Sequence, residues 1–212
     1  MSVIGTDYIY RSRITILDIL EKRGYNTKPY SKFSPKEIDA LISNYASLNM
    51  DLVHKDGTKH CLVIYLTSRI TKQKIHVFFE TILEKMDIPE DERANYEAVF
   101  MVQDDQLSDT YHLAAITEWT SNKRRIAFFR IPQIVVNPLD HILVPPHTIV
   151  PEEEHQALMT SLNITSKTQL PIIRFHVDPI ARCLGLVPGD IVKIVRPSPS
   201  AGTYTVYRVC AP

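Results

Sequence analysis

Residues 170–210 read LPIIRFHVDPIARCLGLVPGDIVKIVRPSPSAGTYTVYRVC, and this stretch decides the fold of the C-terminal part of the chain. Asp178-Pro179 opens a short helix: Asp is a good N-cap, and proline in the first helical position loses nothing by lacking an N–H. Gly185 supplies the stop, because a helix ends readily on a residue that tolerates the left-handed conformation. Pro188-Gly189-Asp190 is a turn. Residues 191–195 alternate, with Ile191, Lys193 and Val195 on one face and Val192 and Ile194 on the other. Four of the five are apolar, so the strand is buried over most of its surface. Residues 197–202 form the next loop, and 203–209 are again β-rich. The stretch therefore predicts a small β-rich module with one or two helices, its apolar residues packed as a core. No catalytic constellation interrupts it.

Working towards the N-terminus, Pro151 starts a helix, and Glu152, Glu153 and Glu154 suit the positive end of its dipole. The acidic triplet reads as a helix start and not as a ligand cluster. His141, His147 and His155 match no common zinc spacing. Five prolines between Pro132 and Pro151 mark the boundary between two domains, 1–137 and 138–212.

The first of these reads as α/β. Ile9, Ile16, Leu17 and Leu20 recur near helical spacing, and Gly24 follows as a stop. Ser34-Pro35-Lys36-Glu37 is a capping box with proline in the first turn, opening a second helix that runs to about Ser47. Lys55-Asp56-Gly57-Thr58 is a hairpin signal between strands at 52–54 and 61–66. Ile75, Phe78, Phe79, Ile82 and Leu83 share one side of a helix over 72–86. A buried strand at 98–102, a helix over 108–119 and a strand at 126–131 complete the pattern. Strands alternating with helices predict a mixed sheet flanked by helices.

The chain has 24 basic and 24 acidic residues among 212, and the balance holds in both parts: residues 138–212 carry six of each. A dedicated nucleic-acid binder shows a basic excess, so the composition argues against a DNA-binding module acting alone. The three cysteines, Cys61, Cys183 and Cys210, imply neither a disulfide framework nor a metal site, and fit buried thiols in a reducing compartment. No signal-peptide pattern is visible, and no run approaches the roughly 18 apolar residues of a membrane span.

An enzymatic reading fails on its own terms. A metal-dependent nuclease needs clustered carboxylates and usually a lysine on its second strand to hold a cation and activate water. Asp51 and Asp56 stand on the first strand and turn, but residues 61–66 carry neither group. There is no P-loop, dinucleotide fingerprint, G-x-S-x-G elbow or H-E-x-x-H pattern, and nothing near Cys183 makes it a nucleophile. No catalytic residue, cofactor site or metal ligand is assigned. A binding module is the better alternative, because Arg182, Arg196, Arg208, Tyr204 and Tyr207 are residue types that anchor interfaces. The same tyrosines also read as core edges and the arginines as solvated charges.

The C-terminal stretch resembles one family over its whole length: the assembly domain of the fifth subunit shared by eukaryotic nuclear RNA polymerases I, II and III, a domain that archaeal RNA polymerase also carries in one of its subunits. The resemblance rests on Leu170-Pro171, Asp178-Pro179, Ala181-Arg182, Gly185, Gly189, Val192-Lys193-Ile194, Arg196-Pro197-Ser198, Ala201-Gly202, Tyr204 and Tyr207-Arg208 at unbroken spacing. Leu143-Val144-Pro145 and His147 resemble the opening of that domain. Arg23-Gly24-Tyr25 resembles the end of the first helix of the family's N-terminal jaw domain, where the similarity is otherwise one of pattern.

The resemblance implies an α/β jaw domain followed by a small α+β, β-rich assembly domain in a non-catalytic subunit of a DNA-directed RNA polymerase. The second domain would dock on the largest subunit, with the jaw towards downstream DNA. It makes Asp178, Pro179, Arg182, Arg196, Pro197, Tyr204 and Tyr207 candidates for docking or for holding the fold. It implies no cofactor. A nuclear location follows for a cellular chain, and a virion or the host cytoplasm for one encoded by a large DNA virus. A free-standing interaction module or transcription regulator with the same C-terminal fold is the alternative.

The chain departs from the family pattern in three places. Ile172 and Thr203 stand where the family has basic residues. Asp104-Asp105-Gln106-Leu107-Ser108-Asp109 replaces a loop near DNA; its carboxylates repel phosphate, so a solvated loop with Ser108 as helix cap is the preferred reading. The basic cluster nearest to it, Lys123-Arg124-Arg125 beside Trp119, either approaches DNA or caps a helix end, with the helix end preferred.

Overall fold

The computed structural model describes residues 5–66, 72–103 and 109–212. Two compact units divide the chain, Met1–Asn137 and Pro138–Pro212, and each contains one four-stranded mixed sheet.

In the first unit the elements run α1 (Thr6–Lys22), α2 (Pro35–Ile42), β1 (Met50–Val53), β2 (His60–Leu66), α3 (Lys72–Lys85), β3 (Tyr96–Val102), α4 (Asp109–Asn122) and β4 (Ile126–Arg130). The sheet order is β1-β2-β3-β4. β1 pairs antiparallel with β2 across the hairpin, while β2, β3 and β4 are parallel. Parallel strands need crossovers, and α3 and α4 supply them. Helices on both faces bury the strands throughout, which is why residues 61–66 and 96–102 are buried without alternation. On one face, Phe79 of α3 meets Phe100 of β3 edge-on, and Tyr111 of α4 lies 4.8 Å from Phe128 of β4. On the other, Arg23 at the end of α1 reaches Glu97 of β3.

Local signals form as their chemistry requires. Ser34 accepts from the Glu37 N–H and the Glu37 side chain returns to Ser34, closing the capping box. α2 stops at Ile42, five residues short of the expected end. Asn44 turns extended there and its side chain accepts from the Ala46 N–H, starting a separate 3-10 turn at Tyr45–Leu48. Gly24 has φ +95°, and a Cβ on it would stand 2.4 Å from the His54 ring; the chain turns there only because the side chain is absent. The expected cap Ser108 lies outside the described residues, as does the acidic loop up to Ser108; α4 is described from Asp109.

The second unit contains β5 (His147–Val150), α5 (Glu152–Ser161), β6 (Ile172–Arg174), α6 (Pro179–Leu184), β7 (Ile191–Ser198) and β8 (Gly202–Ala211). Its sheet order is β5-β7-β8-β6. β5 and β8 run antiparallel to β7, and β6 parallel to β8. Val150, Leu170, Ile191 and Val209 form a core on which Leu158 of α5, Ile164 and Tyr207 pack. The β7–β8 hairpin is longer than its sequence suggests. Pro197 and Ser198 remain in the ladder, opposite Thr203 and Gly202, and the turn shrinks to residues 199–201. Proline is tolerated at 197 because alternate residues of β7 point their N–H away from β8, so no ladder bond is lost.

Three carboxylates and their arginines tie the first unit together. Arg23 Nη2 donates to both oxygens of Glu97, at 2.6 and 2.8 Å, and Arg125 Nη1 donates to Glu97 Oε2 at 3.1 Å. Arg124 bonds Glu118 through Nε at 2.8 Å and also bonds Glu80. Glu80 takes Arg93 at 2.9 Å, and Glu118 takes His76 at 2.8 Å and Asn122 at 2.9 Å. Burial alone would raise the Glu97 carboxyl, but the charges of Arg23 and Arg125 outweigh it and hold the group down at about 2. The stability this contributes is present above the ordinary carboxylate range and is lost as pH falls towards 2. Glu97→Gln, which leaves the buried Arg125 and the part-buried Arg23 without their counter-charge, is expected to destabilise the protein by about 3–5 kcal/mol at neutral pH. Denaturant unfolding should also show a smaller loss of stability between about pH 4.5 and pH 2 in the variant than in the parent.

Candidate interaction surface

The seven C-terminal candidates fall into two groups. Asp178, Pro179 and Arg182 build α6. The Asp178 carboxylate accepts from the Ile180 and Ala181 N–H groups at 2.8 and 3.2 Å. Pro179 occupies the first turn, and Gly185 closes the helix at φ 77°. Arg182 is buried. Asp178 and Pro179 therefore serve the helix itself, and Arg182 is enclosed by the unit. Arg196, Pro197, Tyr204 and Tyr207 lie on the β7–β8 hairpin. Arg196 stands directly opposite Tyr204, Pro197 opposite Thr203, and Tyr207 opposite Lys193. Tyr204 is 61 % exposed, and Arg196 and Pro197 are exposed beside it. Tyr207 is half-buried. It packs against the core and lines a cleft of about 330 Å³ with Val150, Glu154, Leu158 and Lys193.

Two of the three residues of the basic cluster at the end of α4 are buried. Arg124 is 4 % exposed. It is bonded to Glu118 and Glu80, and stacks 5.1 Å over the Phe79 ring. Arg125 is buried against Glu97. Both guanidinium groups are paired with carboxylates inside the fold, so their burial favours the helix-end reading of the cluster over the approach to DNA. Lys123 differs. It is exposed, ends α4 in the left-handed conformation (φ 56°), and holds its ammonium 5.8 Å from the centre of the Trp119 ring.

Sequence reasoning missed Glu80 and Glu97, whose partners Arg124 and Arg23 lie 44 and 74 positions away, and Glu118, whose partner Arg124 is near in sequence but carries no mark of burial. Among the described residues, His76, Glu80 and Glu118 bring ligand atoms within 4.8 Å of one another. Arg124 already bonds both carboxylates, so the positive charge a metal would supply is in place. The three histidines read against a zinc site each face backbone. His155 Nε2 lies 3.0 Å from the Val150 carbonyl, His147 Nδ1 lies 2.5 Å from that of Pro145, and His141 Nδ1 accepts from the Leu143 N–H. Also missed were strands β5 and β6, and Ile172 of β6 is 50 % exposed.

Comparison with known proteins places this geometry. Residues 136–210 match the family described as RNA polymerase Rpb5, C-terminal domain. The chain is 33 % identical over 199 residues to the DNA-directed RNA polymerases I, II, and III subunit rpabc1 of Dictyostelium discoideum, covering 93 % of this chain and 94 % of that protein. It is 51 % identical over 73 residues to the DNA-directed RNA polymerase subunit Rpo5 of Pyrococcus horikoshii, covering 34 % of this chain and 87 % of the archaeal protein. With the RPABC1 subunit of Caenorhabditis elegans it shares 39 % identity over 87 residues, 41 % of this chain and 40 % of the other.

The division between the α6 and the hairpin candidates is measurable. Asp178→Ala removes a cap that serves two N–H groups and should cost about 1 kcal/mol. Tyr204→Ala, at an exposed strand position, should change stability by less than about 0.5 kcal/mol. Urea unfolding of the two variants beside the parent checks both.

Proposed function

The chain belongs to the RNA polymerase Rpb5 family, and from that membership we propose that it is a non-catalytic structural subunit of a multisubunit DNA-directed RNA polymerase. The assembly domain (138–212) anchors it to the largest subunit. The jaw domain (1–137) helps to shape the cleft for downstream DNA. The observation that carries this reading is the archaeal comparison. A polymerase subunit named Rpo5 is matched over 87 % of its length by a span that makes up 34 % of this chain, about the length of the C-terminal domain matched at 136–210. A subunit that consists of little else still carries the name of the polymerase, which supports placing attachment to the enzyme in this domain. The jaw is the addition shared with the Dictyostelium relative, whose match spans 93 % of this chain.

Charge supports an architectural role for the jaw. The chain is electroneutral, and two of the three arginine and lysine residues of the 123–125 cluster are buried in ion pairs. Contact with DNA by the jaw therefore depends on the placement given by the rest of the polymerase, and Lys123 is the member of that cluster free to approach a phosphate. Nucleotide chemistry and its metal ions belong to partner chains. A nuclear location follows for a cellular polymerase.

Affinity purification of the tagged full-length protein from its native source, with mass spectrometry of stoichiometric partners, tests the proposal. The two largest polymerase subunits should be recovered together, and their identity names the polymerase. Recovery of the protein alone, or with partners unrelated to transcription, would overturn the subunit reading in favour of a free-standing interaction module.

A further inference from the structure

The sheet of the second unit treats its two long strands differently at their outer edges. In the β7–β8 ladder, the Val209 N–H donates away from β7 to the Pro171 carbonyl, and the Cys210 N–H donates towards β7 to the Asp190 carbonyl. By alternation, Thr203, Thr205 and Tyr207 also direct their backbone groups away from β7. β6 covers this side of β8 only opposite residues 209–211, and its chain leaves the ladder at Pro171, which has no N–H to continue it. Among the described residues, nothing pairs with the outward N–H and C=O groups of Thr205 and Tyr207. Thr203 offers only its C=O, because its N–H donates to the Ala201 carbonyl, and the edge from there to Tyr207 is roughly 17 Å long.

The outer edge of β7 has no such opening. β5 covers residues 191–194, the Val195 N–H donates to the Pro146 carbonyl, and Pro197 occupies the next outward position without an N–H to offer. Proteins blunt exposed edges with prolines, charged side chains or bulges. Here β7 is blunted, while the open part of β8 reads Thr203, Tyr204, Thr205, Val206, Tyr207, without proline or charge. The charges that do stand on β6, β7 and β8 are of one sign: Arg174, Lys193, Arg196 and Arg208, with no carboxylate.

We propose that the open edge of β8 is completed in the assembled enzyme by an extended, acidic segment of a partner polymerase chain, added as a further strand along residues 203–207. This rests on the subunit reading above and names the surface through which it acts. Backbone pairing supplies the register and the alternate side chains the selectivity, as in other strand additions. Tyr204 flanks the added strand on one face and Tyr207 on the other. The cations of the sheet favour acidic side chains at the rim and make association weaken with salt.

The test uses the full-length chain co-expressed with its polymerase. Thr205→Pro removes an outward N–H and blocks the added strand while leaving the β7–β8 bonds in place. Thr205→Ala keeps the backbone. Thr205→Pro is expected to stay folded and to fall at least ten-fold in recovery with the largest subunit, while Thr205→Ala is recovered like the parent. Folded Thr205→Pro recovered at the parent's level overturns the strand addition and leaves the subunit reading standing. A parent that recovers no polymerase overturns both. Should Thr205→Pro not fold, hydrogen exchange on the parent decides: the Thr205 and Tyr207 amides must exchange at least ten-fold more slowly in the polymerase than in the isolated chain, and equal rates overturn the proposal. Slowing that appears in the isolated chain and grows with its concentration assigns the edge to a second copy and overturns the proposed occupant.

Discussion

The architecture of the first unit depends on two consecutive arginines that point to opposite sides of a sheet. Arg124 and Arg125 enter β4 side by side. Alternation at the edge of a strand sends one to Glu80 and Glu118 on the helices of one layer and the other to Glu97, where Arg23 of α1 also arrives. Helix α1, the sheet, and the α3–α4 pair are thereby fixed to one another by charge as well as by apolar packing. Desolvating so many ions is costly, and hydrophobic substitutes of equal volume are often no less stable. What the ions add is position: a carboxylate that takes two guanidinium groups fits one register of β3 and one end of α1, whereas an apolar core tolerates sliding.

This arrangement explains where the sequence was legible and where it was not. Ser34, Asp178 and Gly185 could be read directly because each acts on backbone within a few residues of itself. The second strand without carboxylate or lysine was equally plain. The ion pairs were opaque: Arg23 and Glu97 lie 74 positions apart, and a triplet Lys-Arg-Arg carries no mark of which members will be buried. Strand β6 has three residues and exists only by pairing with β8, and β5 has four with a proline on each side. Segments this short have no periodicity to detect. Of the candidate surface, residue identity came from the sequence, but the sorting of Asp178, Pro179 and Arg182 into α6 and of Arg196 and Tyr204 onto an exposed cross-strand pair required the register.

The two sheets solve the same problem in different ways. The first buries three parallel strands under helices on both faces. The second is small, mostly antiparallel, and shielded at one long strand only.

The three thiols are sealed in the interior, Cys61 and Cys183 fully and Cys210 nearly so. Cys61 is further silenced, because burial and the neighbouring Glu97 charge push its ionisation well above the ordinary thiol range. Alkylating reagents attack the thiolate, so in the native protein each cysteine is mute until its surroundings open. Cys61 belongs to the first unit, and Cys183 and Cys210 to the second. The chain thus carries a native stopwatch in each half, and labelling kinetics would time their excursions separately, without any engineered reporter.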